Sequence, residues 1–203
     1  MPSPRLNLFE DPPPGGLPGA PAGLVYAPGF LGAGEEGALA AHIAALPFKP
    51  FEFHGFTGNR RTVSFGMHYA FDGSGLKDAE PIPDWLRPLR ARAAALAGRE
   101  PEAFVHILVI EYEAGAGIGW HRDRPVFGDV VGISLLAPAP LRFRRKHVLS
   151  RVEGAGARWE RFTLTAEPRS AYLLTGEARH EWEHSIPRLE TLRYSVTLRT
   201  LAK

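Results

Sequence analysis

His121, Asp123 and His184 are the side chains whose types and spacing could do chemistry together. Two imidazoles and one carboxylate make a facial triad, three ligands on one side of a divalent metal with the opposite positions open. That arrangement suits non-haem Fe(II) and leaves room for a co-substrate and dioxygen. Arg122 separates the first two ligands, and Arg193 follows His184 by nine residues. A His-x-Asp by itself is weak evidence, because the two residues meet at that spacing in many turns.

The elements around the three ligands add weight. Phe104 to Tyr112 is rich in β-branched and apolar residues and reads as a strand. Ala114 to Gly119 is glycine-rich and lets the chain turn sharply before His121 and Asp123, so the ligands are expected just past a strand-end turn. Leu192 to Arg199 alternates with period two: Leu192, Tyr194, Val196 and Leu198 on one face, Arg193, Ser195, Thr197 and Arg199 on the other. Such a strand either turns its polar face to water or lines a charged pocket. In the second case its arginines could grip a dicarboxylate through paired hydrogen bonds.

The chain resembles the AlkB family of Fe(II)- and 2-oxoglutarate-dependent dioxygenases. The family's pattern is His-x-Asp, a distal His and Arg-x-Asn-x-x-x-Arg. Here the last element runs from Arg193 to Arg199, with Ser195 in the asparagine position, and Glu181 to Pro187 is similar to the family's distal-histidine segment. The resemblance covers about Phe51 to Thr200. It implies that His121, Asp123 and His184 hold Fe(II), and that 2-oxoglutarate takes two open positions and O₂ the third. It assigns the distal carboxylate of 2-oxoglutarate to Arg193, with Tyr112, Ser195 and Arg199 in the same pocket. His180, four residues before His184, is the competing ligand. It is set aside because Trp182, Ser185 and Pro187 match the family around His184. Glu111 and Glu113 flank Tyr112 and are expected to face away from the site.

The stretch from Asn59 to Phe71 is similar to the nucleotide-recognition region of members that repair alkylated bases. On that reading residues 51–71 form a substrate-recognition lid, with Arg60 and Arg61 on phosphates and Phe65, Tyr69 and Phe71 holding a flipped or single-stranded base. The same aromatics at even spacing also fit the core face of a strand. Base-repairing members carry acidic residues directly after His-x-Asp, where this chain has Arg124 and Pro125, and asparagine is common where it has Ile110. The first departure weighs against 1-methyladenine and 3-methylcytosine as substrates. The second removes one hydrogen bond to 2-oxoglutarate. Pro125 to Asp129 looks closer to branches acting on RNA or protein.

At 203 residues and 44% hydrophobic content the chain can bury one sizeable core. A net charge of +2 permits a nucleic-acid partner without demanding one. With no cysteine, disulfides, thiolate nucleophiles and cysteine-ligated metals are excluded. Residues 1–22 carry Pro12-Pro13-Pro14-Gly15-Gly16 and read as an irregular arm, ahead of a single domain over 23–203. Helices are predicted over Glu35–Leu46 and Asp84–Leu96. Strands are predicted at Leu24–Tyr26, Val130–Leu136, Leu141–Val148, Arg158–Leu164, Ala171–Leu174 and Leu192–Leu201. The fold class expected is α+β, mainly β: a double-stranded β-helix, or jelly roll, with N-terminal helices packed outside. No apolar run long enough to span a bilayer or act as a signal is visible, so a cytoplasmic monomer is the default expectation. The leading function is oxidative demethylation of alkylated DNA or RNA bases. A protein or small-molecule hydroxylase on the same site, or a non-catalytic jelly-roll binding module, remain alternatives.

Overall fold

Alternation of inward and outward side chains organises most of the chain, and it produces two antiparallel sheets packed face to face. A computed structural model describes residues 17–53, 56–70, 75–147 and 158–203. The strands are β1 Leu24–Ala27, β2 Lys49–Phe53, β3 Phe56–Phe65, β4 Met67–Ala70, β5 Gly75–Asp78, β6 Phe104–Tyr112 and β7 Ile118–His121. They continue with β8 Phe127–Leu135, β9 Ala139–His147, β10 Arg158–Ala166, β11 Ala171–Leu174, β12 Glu183–Ile186 and β13 Arg193–Leu201. The helices are α1 Ala33–Ala44, α2 Arg87–Ala97 and the short α3 Gly176–His180. A seven-stranded sheet runs β1-β11-β8-β13-β6-β3-β2, a four-stranded sheet runs β10-β9-β12-β7, and β4 and β5 pair as a separate ribbon. This is the mainly-β jelly roll expected from the sequence, with α1 and α2 outside it.

Strand parity divides the interior into two compartments. Ile107 and Val109 of β6, Ile133 of β8 and Val196 and Leu198 of β13 join Ile43 of α1 and Leu89 of α2 in a helix-side core. The alternate positions Ile110 and Tyr112 of β6, Val130 of β8 and Leu174 of β11 pack between the sheets against Leu141 and Phe143 of β9, Leu164 of β10 and Ile186 of β12. β13 is therefore covered on both sides. Arg193, Ser195, Thr197 and Arg199 are buried on the face toward the smaller sheet, so the polar side of that strand lines the interior.

Helix boundaries follow local chemistry. α1 starts two residues earlier than Glu35: the Glu35 carboxylate accepts the Gly32 backbone N–H at 2.7 Å and caps the first turn from within. The segment predicted as one helix from Asp84 opens as a 3₁₀ turn, Asp84–Leu86, and becomes α-helical at Arg87 with Pro88 in its first turn. Gly98, at φ 60°, ends α2 in the left-handed conformation.

The region predicted as a lid over 51–71 is largely part of the body. β3 pairs with β6 from Arg60↔Tyr112 to Phe65↔Ile107, and β2 pairs with β3 at the sheet edge. Only β4, with β5, stands apart as a ribbon. In the predicted N-terminal arm, residues 17–22 form turns, and Leu17 and Ala20 pack against the core between the sheets.

Candidate metal centre

The ligand-bearing strands are adjacent in the smaller sheet. β12 pairs with β7 so that His184 lies directly opposite His121, and the register shifts between there and Ile186↔Ile118. The turn leading into β7 passes so close to the chain after β12 that a Cβ on Gly117 would meet the Ile186 and Pro187 carbonyl oxygens at 2.8 Å, so only glycine fits there. The histidine rings stand 4.3 Å apart between centroids. Asp123 follows two residues after His121, and its Oδ2 lies 4.0 Å from Nε2 of His184. That spacing is somewhat wider than two neighbouring ligands of one ion with bonds of about 2.1 Å. The Gly119 carbonyl lies 2.9 Å from His121 Nδ1, which assigns the proton to that nitrogen and leaves the Nε2 lone pair available to a metal. His180, the competing ligand, sits at the exposed end of α3. It ends a helical turn and lies outside β12, the strand that carries His184.

Electrostatics set the donors in their ligating forms. Burial disfavours the Asp123 carboxylate, yet Arg199 above all, then His184, His121 and Arg179, hold its pKa well below the usual range. Burial lowers His184 to about 3, with His121 adding repulsion and Asp123 opposing it, and burial also lowers His121. At neutral pH the site is therefore two neutral imidazoles and one carboxylate.

A cavity beside the triad is lined by Tyr112, Tyr172, Ser195, Thr197 and Arg199. Gly132 faces the Tyr172 ring, which occupies the space a side chain there would need. Arg199 donates from Nε and Nη2 to Asp123 Oδ1, at 3.1 and 2.8 Å, and its Nη1 lies 3.3 Å from Nδ1 of His106. Arg193 is fully buried. Its Nε donates to Ser134 Oγ at 3.0 Å, its guanidinium lies over the Tyr112 ring at 5.3 Å, and among the described residues Nη1 and Nη2 meet no acceptor in hydrogen-bonding geometry. A buried arginine with two unmet donors is costly unless an anion meets them. Burial lowers the pKa of Arg193, and Tyr112 and Tyr172 oppose the shift. The donor set and this orphaned pair of N–H groups fit Fe(II) with a dicarboxylate beside it.

Of the five residues predicted to contact substrate, the four described, Arg60, Arg61, Phe65 and Tyr69, are not brought together. Arg60 is opposite Tyr112 in register and faces the interior, where burial lowers its pKa. Arg61 points to the other face and pairs with Glu111 at 2.5 Å and Glu113 at 3.0 Å. Neighbours on a strand cannot share a face, so the two arginines do not form one phosphate clamp. Phe65 belongs to the helix-side core, edge-on to Trp85 at 6.5 Å. Tyr69 on β4 meets the Arg124 guanidinium, 5.1 Å above its ring. Phe71 lies outside the described residues.

Three supporting residues had not been foreseen: Ser134, which holds Arg193; His106, which touches Arg199; and Arg179. Arg179 is buried at the end of α3 and donates to the carbonyls of Phe127 at 2.6 Å, Gly128 at 2.7 Å, Arg124 at 2.7 Å and Asp123 at 3.3 Å. It fixes the loop that carries the carboxylate ligand. A local signal existed for none of the three, since their partners are more than fifty residues away.

A jelly roll with this triad defines a class, and the sequence agrees: the chain belongs to the 2OG-Fe(II) oxygenase superfamily, whose profile matches residues 24–199. Within that superfamily the chain is similar to AlkB-like proteins. It is 26% identical over 189 residues to "Alkylated DNA repair protein ALKBH8 homolog" of Arabidopsis thaliana, covering 81% of this chain and 51% of that protein. It is 31% identical over 112 residues to "Probable RNA/DNA demethylase ALKBH6" of Danio rerio, covering 55% of this chain and 45% of that one. The chain thus spans about half the length of these relatives. The solved structure of OsALKBH1 superposes with a TM-score of 0.64 at 16% identity, covering 88% of this chain and 96% of that one, which supports the fold. Among the described residues no helix is long and apolar enough to cross a membrane.

Proposed function

We propose that this dioxygenase oxidatively demethylates alkylated bases in DNA or RNA. The names of both curated relatives point to nucleic acid. The observation in this chain that carries the reading is the contact between Arg124, one residue past Asp123, and Tyr69 of the β4–β5 ribbon. It sets an aromatic ring and a cation beside the metal ligands, the pair of groups that holds an extruded base and its backbone.

His121 and His184, each through Nε2, and Asp123, through Oδ2, would hold the metal. Arg193 would pair its free N–H groups with the distal carboxylate of 2-oxoglutarate, with the Tyr112 and Ser195 hydroxyls in the same pocket and Arg199 keeping Asp123 ionised and oriented. Bound Fe(II) with 2-oxoglutarate and O₂ supplies the oxidising power to hydroxylate a substrate C–H bond, and a hydroxylated N-methyl group then leaves as formaldehyde.

Arg124 also bears on which base fits. A guanidinium has donors only, so it suits a carbonyl edge and not an exocyclic amine. It also repels bases that carry a positive charge when methylated, as 1-methyladenine and 3-methylcytosine do. Neutral 3-methyluracil and 3-methylthymine are therefore the favoured substrates. The test is formaldehyde release from single-stranded oligonucleotides bearing each of the four bases. Turnover of none of them, with succinate formed on a peptide or small molecule, transfers the assignment to a hydroxylase.

A further inference from the structure

The outer face of the four-stranded sheet carries charge and aromatic surface that the metal centre does not use. Leu141 and Phe143 of β9 and Leu164 of β10 are buried between the sheets, so Arg142, Arg144, Lys146, Trp159, Arg161 and Thr163 project outward. Arg144 is sandwiched between two indoles, 4.4 Å from the Trp120 ring and 4.5 Å from Trp159, and Arg142 lies 5.2 Å from Trp120. Trp159 is 38% exposed. Among the described residues, the cations Arg142, Arg144, Lys146 and Arg161 on this face meet the carboxylate of Glu183 on β12, which pairs with Arg144 at 2.6 Å.

The register sharpens the charge problem. Arg161 stands directly opposite Arg144 on the neighbouring strand, and like charges in that position destabilise a sheet. A partner that brings negative charge removes the repulsion. The face also leads to the metal centre: Trp120 precedes the ligand His121, and a groove of about 290 Å³ next to it is walled by Gly117, Gly119, Arg142 and Arg188. Ile118 and Ile186 line both this groove and the metal cavity.

We infer that this face is the track for a single-stranded polynucleotide, with phosphates against Lys146, Arg161, Arg142 and Arg188 and a base stacked on Trp159. The inference rests on the nucleic-acid reading above and adds where the strand lies. An acidic peptide would satisfy the cations, but it brings no planar group for the exposed indole. Regular spacing of anions with flat rings between them is the chemistry of a polynucleotide.

The test is the salt dependence of binding between the iron-loaded full chain and an unmodified fluorescent oligonucleotide of about 12 nucleotides, as DNA and as RNA. Each lost phosphate contact lowers the slope of log K against log salt by about 0.7, so Lys146→Ala with Arg161→Ala should lower it by about 1.4. Trp159→Ala should weaken binding roughly tenfold at unchanged slope, and Trp159→Phe should restore most of the loss. All these side chains are at the surface, so thermal unfolding and succinate release without added substrate should match wild type. If wild type demethylates oligonucleotides while these variants keep its slope and affinity, the track is refuted and the demethylase reading stands. If wild type neither binds nor demethylates any polynucleotide, both fall. If polyglutamate displaces the oligonucleotide at equal charge concentration and Trp159→Ala binds as wild type does, the face belongs to an acidic protein partner and the inference is overturned.

Discussion

Arg199 grips Asp123 by one oxygen only, with Nε and Nη2 converging on Oδ1 while Oδ2 is turned toward His184. One arginine thus keeps the carboxylate charged, fixes its rotamer and leaves the other oxygen for the ion. Arg199 sits six residues beyond Arg193 on the same face of β13, so a single strand sets one guanidinium on Asp123 and the other over the Tyr112 ring.

The first prediction follows from that grip. Arg199→Gln removes the charge but keeps a donor within reach, so Asp123 is less firmly ionised and less well aimed. Fe(II) affinity should fall roughly 10- to 100-fold, the usual effect of losing a group that orients a ligand. Anaerobic Fe(II) titration of the purified variant measures it. Affinity equal to wild type would mean that Asp123 is positioned by Arg179 and the loop alone.

Arg193 and Ser134 separate charge from orientation at the proposed 2-oxoglutarate site. Arg193→Ala should cost about 2 to 5 kcal/mol of 2-oxoglutarate binding, because a carboxylate would be left unpaired in a buried pocket. Ser134→Ala removes only the hydroxyl that holds Nε, so its loss should be smaller, about 1 kcal/mol. Calorimetric titration of 2-oxoglutarate into the metal-loaded protein reads both. A larger loss in Ser134→Ala than in Arg193→Ala would move the distal carboxylate elsewhere.

His184 and His180 are four residues apart, yet only one faces the site. His184→Ala should abolish Fe(II) binding and 2-oxoglutarate turnover, whereas His180→Ala, at an exposed helix end, should leave both unchanged. Loss of turnover in His180→Ala with wild-type metal affinity in His184→Ala would reverse the ligand assignment.

What could be read from the sequence depended on how local its cause was. β6 and β11 have the bounds expected of them, because each is a short apolar run closed by turn residues. The two faces of β13 follow from period two alone. β7 and β12 are not legible from sequence because Ile118–His121 and Glu183–Ile186 hold four residues each, too few to show an alternating pattern. They are strands because they pair with each other and β12 with β9, a tertiary cause. Arg60 and Arg61 show the opposite failure. As neighbours in sequence they suggested one basic patch, but strand pleating sends them to opposite faces of the sheet. His121, Asp123 and His184 could be named together from the sequence and the fold brings them together, whereas the arginine that secures the loop could not.

That arginine carries the last prediction. Arg179 is buried, and its guanidinium spans four backbone carbonyls, those of Asp123 and Arg124 in the loop before β8 and those of Phe127 and Gly128 at the start of that strand. Removing it leaves several buried acceptors unmet at once, each worth about 1 to 3 kcal/mol when unsatisfied. Partial relaxation of the loop and entry of water should bring the net loss for Arg179→Ala to about 3 kcal/mol of unfolding free energy. Arg179→Lys should recover little of it, since one ammonium cannot reach four acceptors spread over a flat fork. Urea denaturation of the metal-free protein measures the loss without interference from Fe(II), and Fe(II) affinity should fall in the same order. If Arg179→Lys is as stable as wild type and binds Fe(II) as tightly, the loop is held by its own turn and not by the clamp.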